Sequence, residues 1–143
     1  MAKSVRDAMT ESPRSIDGSA SAVDAARLMR DQHLGSLPVT DGDQLVGMVT
    51  DRDVATRVVA AGVDPETTSV GDICSRDPIS AEPDHDLDEA LELMARHKIR
   101  RLPVVENGRL VGIVSQADIA LKDTERTGQL VEAISEPSEE ERR

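Results

Sequence analysis

The chain has 143 residues, with 28 acidic against 17 basic side chains, a net charge of −11, one cysteine, and no phenylalanine, tyrosine or tryptophan. That charge repels phosphate backbones, and without aromatic rings there is no platform for stacking bases, so nucleic acid is not expected as a partner. The lone thiol, Cys74, excludes an internal disulfide and fits a reducing cytoplasm; neither a signal peptide nor an apolar run near the roughly 20 residues of a membrane span is read in the chain.

In chain order, residues 3–9 are predicted as a short helix ended by Pro13, and Ile16 lies in a short extended piece. A helix follows over residues 21–32, with Val23, Ala26, Leu28 and Met29 on its buried face. Residues 37–40 and 44–49 read as strands around the turn Asp41-Gly42-Asp43. A last helix starts after Thr50 and ends near Ala61, where Gly62 and then Pro65 stop it. After a polar stretch at residues 64–68 the order recurs. Asp86, with Glu89 three residues on, reads as the cap of a helix over residues 87–97. Strands at 102–105 and 109–114 flank Glu106-Asn107-Gly108, and a final helix begins near Gln116. Leu130, Val131, Ala133 and Ile134 have helical spacing and are expected to pack a further turn onto the module.

The recurrence is a repeat in sequence as well as in pattern. A shift of 65 residues carries Leu37-Pro38-Val39 onto Leu102-Pro103-Val104, and Leu45-Val46-Gly47-Met48-Val49-Thr50 onto Leu110-Val111-Gly112-Ile113-Val114-Ser115. Two copies with so long a period describe a duplicated small domain, not a solenoid. The expected division is one domain over residues 1–63, a linker at 64–69 and a second domain over 70–122. A helical extension at 123–136 and a disordered acidic tail at 137–143 follow. Each half alone would bury only about 60% of its unfolded surface, so the halves are expected to share one core.

Gly47-Met48-Val49-Thr50-Asp51-Arg52-Asp53 and Gly112-Ile113-Val114-Ser115-Gln116-Ala117-Asp118, each preceded by Leu-Pro-Val, resemble the signature of the cystathionine-β-synthase (CBS) domain family. The tandem copies resemble the CBS pair, or Bateman module, and the short layout is similar to small bacterial proteins of the hypoxic-response type. The resemblance implies an α/β fold of two CBS domains related by pseudo-two-fold symmetry, each a small sheet packed on helices. It also implies a dimerising regulator whose inter-domain clefts take AMP, ADP, ATP or S-adenosylmethionine.

The motif residues suit that chemistry. At a strand-to-helix junction, free backbone N–H groups and the helix dipole favour a phosphate. A Thr50 or Ser115 hydroxyl donates to a phosphate oxygen, and an Asp53 or Asp118 carboxylate accepts from ribose hydroxyls. Thr50-x-x-Asp53 and Ser115-x-x-Asp118 are equally capping-box sequences, and both readings can hold. Arg100 and Arg101 precede the second Leu-Pro-Val and read either as a solvated pair or, by the resemblance, as phosphate ligands reaching the cleft of Thr50 and Asp53. Their counterparts Gly35 and Ser36 carry no charge. A stronger site at Thr50/Asp53 and a weaker or empty one at Ser115/Asp118 are therefore expected.

By the same resemblance Ser15-Ile16 and Ser80-Ala81 edge the adenine; a plain strand edge is the other reading. Pro38 and Pro103 lie beside them in the cleft strands. His33, His85 and His97 with Cys74 lack metal-ligand spacing, so no metal is expected. Neither a phosphate-binding Walker loop nor a nucleophile–base pair is recognised in the sequence. The expected function is thus a non-catalytic module with no obligatory cofactor, acting through its own dimer or an unidentified protein partner. The rival is a structural homodimer whose ligand sites have degenerated.

Overall fold

The structure is a computed structural model and describes residues 3–122 of the chain. The expected extension at 123–136 and tail at 137–143 lie outside the described residues. The rest divides into two compact units, one of residues 14–78 and the other of residues 3–13 together with 79–122.

In the unit of residues 14–78, strand β2 (Ile16–Asp17) runs parallel to β3 (Ser36–Asp41). Strand β3 pairs antiparallel with β4 (Gln44–Thr50) through a turn whose Gly42 has φ +63°. Helix α2 (Ala22–Gln32) starts at a reciprocal cap in which the Asp24 N–H donates to Ser21 Oγ and the Ser21 N–H to Asp24 Oδ2. Free amides of its first turn find carbonyls in the linker, Ala22 N–H to Thr68 O and Val23 N–H to Pro65 O. The helix buries Ala22, Ala25 and Met29. Of the face expected from the sequence only Met29 is buried; Val23 and Leu28 are half-buried and Ala26 is exposed. The sheet takes the stripe that begins one residue earlier.

Helix α3 is α-helical only over Asp51–Val54 and continues as a π-helical turn over Ala55–Val59, where an uninterrupted helix had been expected. At that change of winding the Thr56 hydroxyl donates back to the Arg52 carbonyl at 2.8 Å, a bond that perturbs regular helices. Gly62, at φ +71°, then ends the run as expected.

The other unit repeats this plan with α5 (Leu87–His97), β6 (Arg101–Glu106), β7 (Arg109–Ser115) and α6 (Gln116–Ala120). Asp86 stands at the N-cap of α5 but its side chain makes no capping bond. The Leu87 N–H donates instead to the Lys3 carbonyl, so the expected cap is replaced by the chain's own leading segment.

That replacement is one part of a larger exchange. Helix α1 (Val5–Ala8) and strand β1 (Thr10–Glu11), which open the first repeat, belong to the unit of the second, where β1 pairs antiparallel with β7. Helix α4 (Val70–Ile73) and strand β5 (Ser75–Arg76), which open the second repeat, belong to the unit of the first, where β5 pairs antiparallel with β4. The compact units are therefore cut at Pro13 and Pro78, and each sequence repeat runs across one of those cuts.

Among the described residues the buried apolar side chains form two clusters, one in each unit. Val70 and Ile73 join Leu37, Val39, Val49 and Val58 in one; Val5 joins Leu91, Met94, Leu102 and Ile119 in the other. Repeats too small to bury enough surface alone are completed by each other's leading helices. The glycine of each signature seats the incoming segment. A Cβ on Gly47 would fall 2.5 Å from the Ser75 carbonyl oxygen and 2.8 Å from Cys74 Sγ, and one on Gly112 would fall 2.7 Å from Met9 Sδ.

Candidate functional site

Each signature ends in a reciprocal cap. The Asp53 N–H donates to Thr50 Oγ1 at 3.1 Å while the Thr50 N–H donates to Asp53 Oδ2 at 2.9 Å. Ser115 and Asp118 do the same at 3.1 and 3.2 Å. The capping reading is thus realised in both repeats, and it leaves chemistry to spare. A hydroxyl that accepts keeps its own O–H to donate, and a carboxylate has lone pairs beyond the one its cap uses.

Free first-turn amides, expected to meet a phosphate, are largely taken in α3. The Asp51 N–H donates to the Gly35 carbonyl at 3.0 Å, the Arg52 N–H to Asp51 Oδ1 at 2.8 Å, and the Asp53 N–H to its cap. In α6 the Gln116 N–H donates to the Arg100 carbonyl at 2.9 Å. Gly35 and Arg100 therefore share a backbone role, each fastening a signature helix to the start of the hairpin that precedes it.

Arg101, exposed, is the direct partner of Ser115 across the β6–β7 ladder, and Ser36 is the partner of Thr50 across β3–β4. Directly opposed residues send their side chains to one face of a sheet. Arg101 and Ser115 thus share one face of their sheet.

Ile16 is buried and pairs with Val39, while Ser15 before it is half-buried. Ala81, also buried, has both backbone groups occupied: its N–H donates to the Pro103 carbonyl at 3.0 Å and its carbonyl accepts from the Val105 N–H at 2.8 Å. Ala81 thus makes strand-edge bonds on both sides, and its carbonyl keeps a second lone pair. Ser80 is half-buried beside it, and Pro38 and Pro103 are buried within their strands.

Sequence reasoning missed Arg57. Its Nη1 donates to the Ile73 carbonyl at 2.9 Å and to the Cys74 carbonyl at 3.4 Å, and its Nε lies 3.8 Å from Asp53 Oδ1. The Asp-to-Arg spacing of four along one helix was the available signal. Asp53 is 8% exposed. Nearby, burial pushes the Cys74 thiol above its ordinary pKa, against the opposing pull of Arg76. A separate concavity of about 280 Å³ on the same unit is lined by Ala26, Met29, Arg30, Leu34, Asp51 and Val54. Among the described residues no three His, Cys, Asp or Glu side chains converge as a metal site, and no helix is long and apolar enough to cross a membrane.

The CBS domain family model matches residues 5–60 and 70–123. The chain is 41% identical over 115 residues to hypoxic response protein 1 of Mycobacterium tuberculosis, covering 79% of this chain and 80% of that one. The crystal structure of Hypoxic Response Protein I, with two coordinated zinc ions, superposes with a TM-score of 0.77 at 37% identity, over 85% of this chain and 99% of that one. The crystal structure of CBSX2 in complex with AMP superposes at 0.72 and 28% identity, over 83% and 94% of the two chains.

Proposed function

Because the chain belongs to the CBS domain family, we propose that it is a non-catalytic regulatory module that binds an adenosyl ligand at Thr50/Asp53 and Ser115/Asp118. The observation that carries this reading is the recurrence of one arrangement at both signatures. An O–H donor and an acceptor-only carboxylate stand side by side, each held in place by the backbone of the other. Ribose hydroxyls match the carboxylate and a phosphate oxygen matches the O–H. The AMP held by CBSX2 offers both groups, as do ADP and ATP, while S-adenosylmethionine offers the ribose hydroxyls alone.

Arg101 beside Ser115 favours phosphate at the second motif. On that ground the stronger nucleotide site is taken to be Ser115/Asp118, where the resemblance implies Thr50/Asp53. Occupancy acts as a signal only through differential affinity for two states of the module or its partner. The lone cysteine supports a reducing, cytoplasmic setting.

The test is thermal unfolding with AMP, ADP, ATP and S-adenosylmethionine. Ligand at about 100 times its dissociation constant stabilises by about 2.7 kcal/mol. Asp53→Asn with Asp118→Asn keeps an oxygen for each cap but removes both carboxylates, and should abolish the shift. No shift with any of the four at millimolar concentration overturns the reading.

A second reading, an interaction homodimer, draws on the 280 Å³ concavity together with Val59 and Val63 on the same unit, which are 74% and 44% exposed. Sedimentation equilibrium of Val59→Asp and Val63→Asp variants checks it, with dissociation to monomers as the expected result.

A further inference from the structure

We propose that Arg57 is a positioning residue: it ties the Asp53 carboxylate to the C-terminal carbonyls of α4, so that the seating of α4 and the acceptor face of Asp53 are set together. The last carbonyls of a helix lack partners within it, and a cation there is favoured. Arg57 supplies both, through Nη1 on the Ile73 and Cys74 carbonyls, while its Nε faces Asp53 Oδ1. The other carboxylate oxygen is held by the Thr50 N–H. The two oxygens of Asp53 are therefore oriented from two sides, one by its cap and one by Arg57.

Two further facts point the same way. Arg57 lies on the π-helical turn, and such turns are frequent at functional sites. Its counterpart 65 residues on is Lys122, an ammonium without the planar fork that lets a guanidinium face a carboxylate and carbonyls at once. The second repeat keeps the Ser115/Asp118 cap but not the arginine, so this link is a feature of the first repeat. Segment α4 comes from the opening of the second repeat; Arg76 holds its Gly71 carbonyl, and Arg57 fastens its end to the first repeat's motif.

The link between Asp53 and α4 needs no ligand; its consequence for binding rests on the reading of Asp53 as an acceptor for ribose. The chain's one cysteine provides the readout for the first. Cys74 caps the C-terminus of α4, is 6% exposed, and has its Sγ 3.6 Å from the Gly71 carbonyl oxygen. Its rate of reaction with an aromatic disulfide under native conditions reports how often α4 lifts.

Arg57→Ala should speed labelling about tenfold, the size expected for loss of one charge-assisted bond, and Arg57→Lys less. Asp53→Asn should speed it as well, and the double variant should add little to Arg57→Ala alone. For binding, the probes are AMP and 2′,3′-dideoxy-AMP, and every variant is compared in an Asp118→Asn background so that the second motif does not supply the preference. Arg57→Ala should reduce the preference for AMP, whereas loss of mere structural support would weaken both probes equally. Should Arg57→Ala not fold, Arg57→Gln and Arg57→Lys carry the same comparisons.

Wild-type labelling rates in the Arg57 variants or in Asp53→Asn overturn the link. If Asp53→Asn removes the AMP preference while Arg57→Ala weakens both probes alike, the positioning role falls and nucleotide binding stands. If the wild-type chain binds neither probe yet the labelling rates move together, nucleotide binding falls and the link stands.

Discussion

Arg101 and Ser115 face each other across the β6–β7 ladder, so the one cation of this position in the two repeats stands beside the second motif. Arg101→Ala should weaken AMP by about tenfold or more, the worth of one charge-assisted hydrogen bond, and adenosine hardly at all. Calorimetric titration with the two ligands measures the difference. Equal losses for both would remove the phosphate assignment.

The cap at α3 has its own stability value. Thr50→Ala should lower the unfolding free energy by about 1 kcal/mol, and Thr50→Ser, which keeps the accepting oxygen, by less. Urea denaturation of the three proteins tests it; an unchanged midpoint in Thr50→Ala would deny the cap any role.

Gly47→Ala should cost about 1–3 kcal/mol, since the new methyl meets backbone oxygen and a buried sulfur. Gly42 has open space around it but a left-handed φ. There Gly42→Asn should be tolerated better than Gly42→Ala, because asparagine enters that region more readily. Denaturation midpoints rank the variants.

The exchange of leading segments predicts where a lesson in packing is felt. Val70→Ala, in a fully buried position, should cost about 2 kcal/mol and reduce hydrogen-exchange protection in α2, β3 and β4. Val5→Ala should do the same in α5, β6 and β7. Protection lost instead within each residue's own repeat would contradict the exchanged units.

Cys74 makes stability depend on alkaline pH. Its folded pKa is raised by burial, so the folded chain holds the thiol proton more tightly than the unfolded chain. The sign follows: this contribution is fully present below the unfolded pKa, about 9, and is lost as pH rises through the raised folded value. Unfolding free energy measured from pH 8 to 10.5 should fall less steeply in Cys74→Ala than in the wild-type chain. Tyrosine, which would otherwise titrate in this range, is absent.

Much of the fold was legible because the signals are local. Helices α2 and α5 and both hairpins follow from periodicity and turn residues, and each occurs twice in one frame. The motif pairs Thr50/Asp53 and Ser115/Asp118 were legible as caps for the same reason: a reciprocal cap is made by residues three apart. Misreadings arose where the partner is distant in sequence. Asp86 reads as a side-chain cap until the Lys3 carbonyl supplies the bond, and the buried face of α2 is chosen by the sheet it meets.

The sequence by itself determined the duplicated α/β architecture, the two signatures and the break at Arg100-Arg101. Its hydrophobic pattern and turn chemistry act over a few residues, and repetition doubles their weight. Only the tertiary structure decided that the leading helices exchange units, that Arg101 stands against Ser115, and that Arg57 joins Asp53 to α4. Those are choices among long-range pairings of similar local patterns. Burial, ladder register and the reach of one guanidinium settle them, and none of the three is written in a run of neighbouring residues.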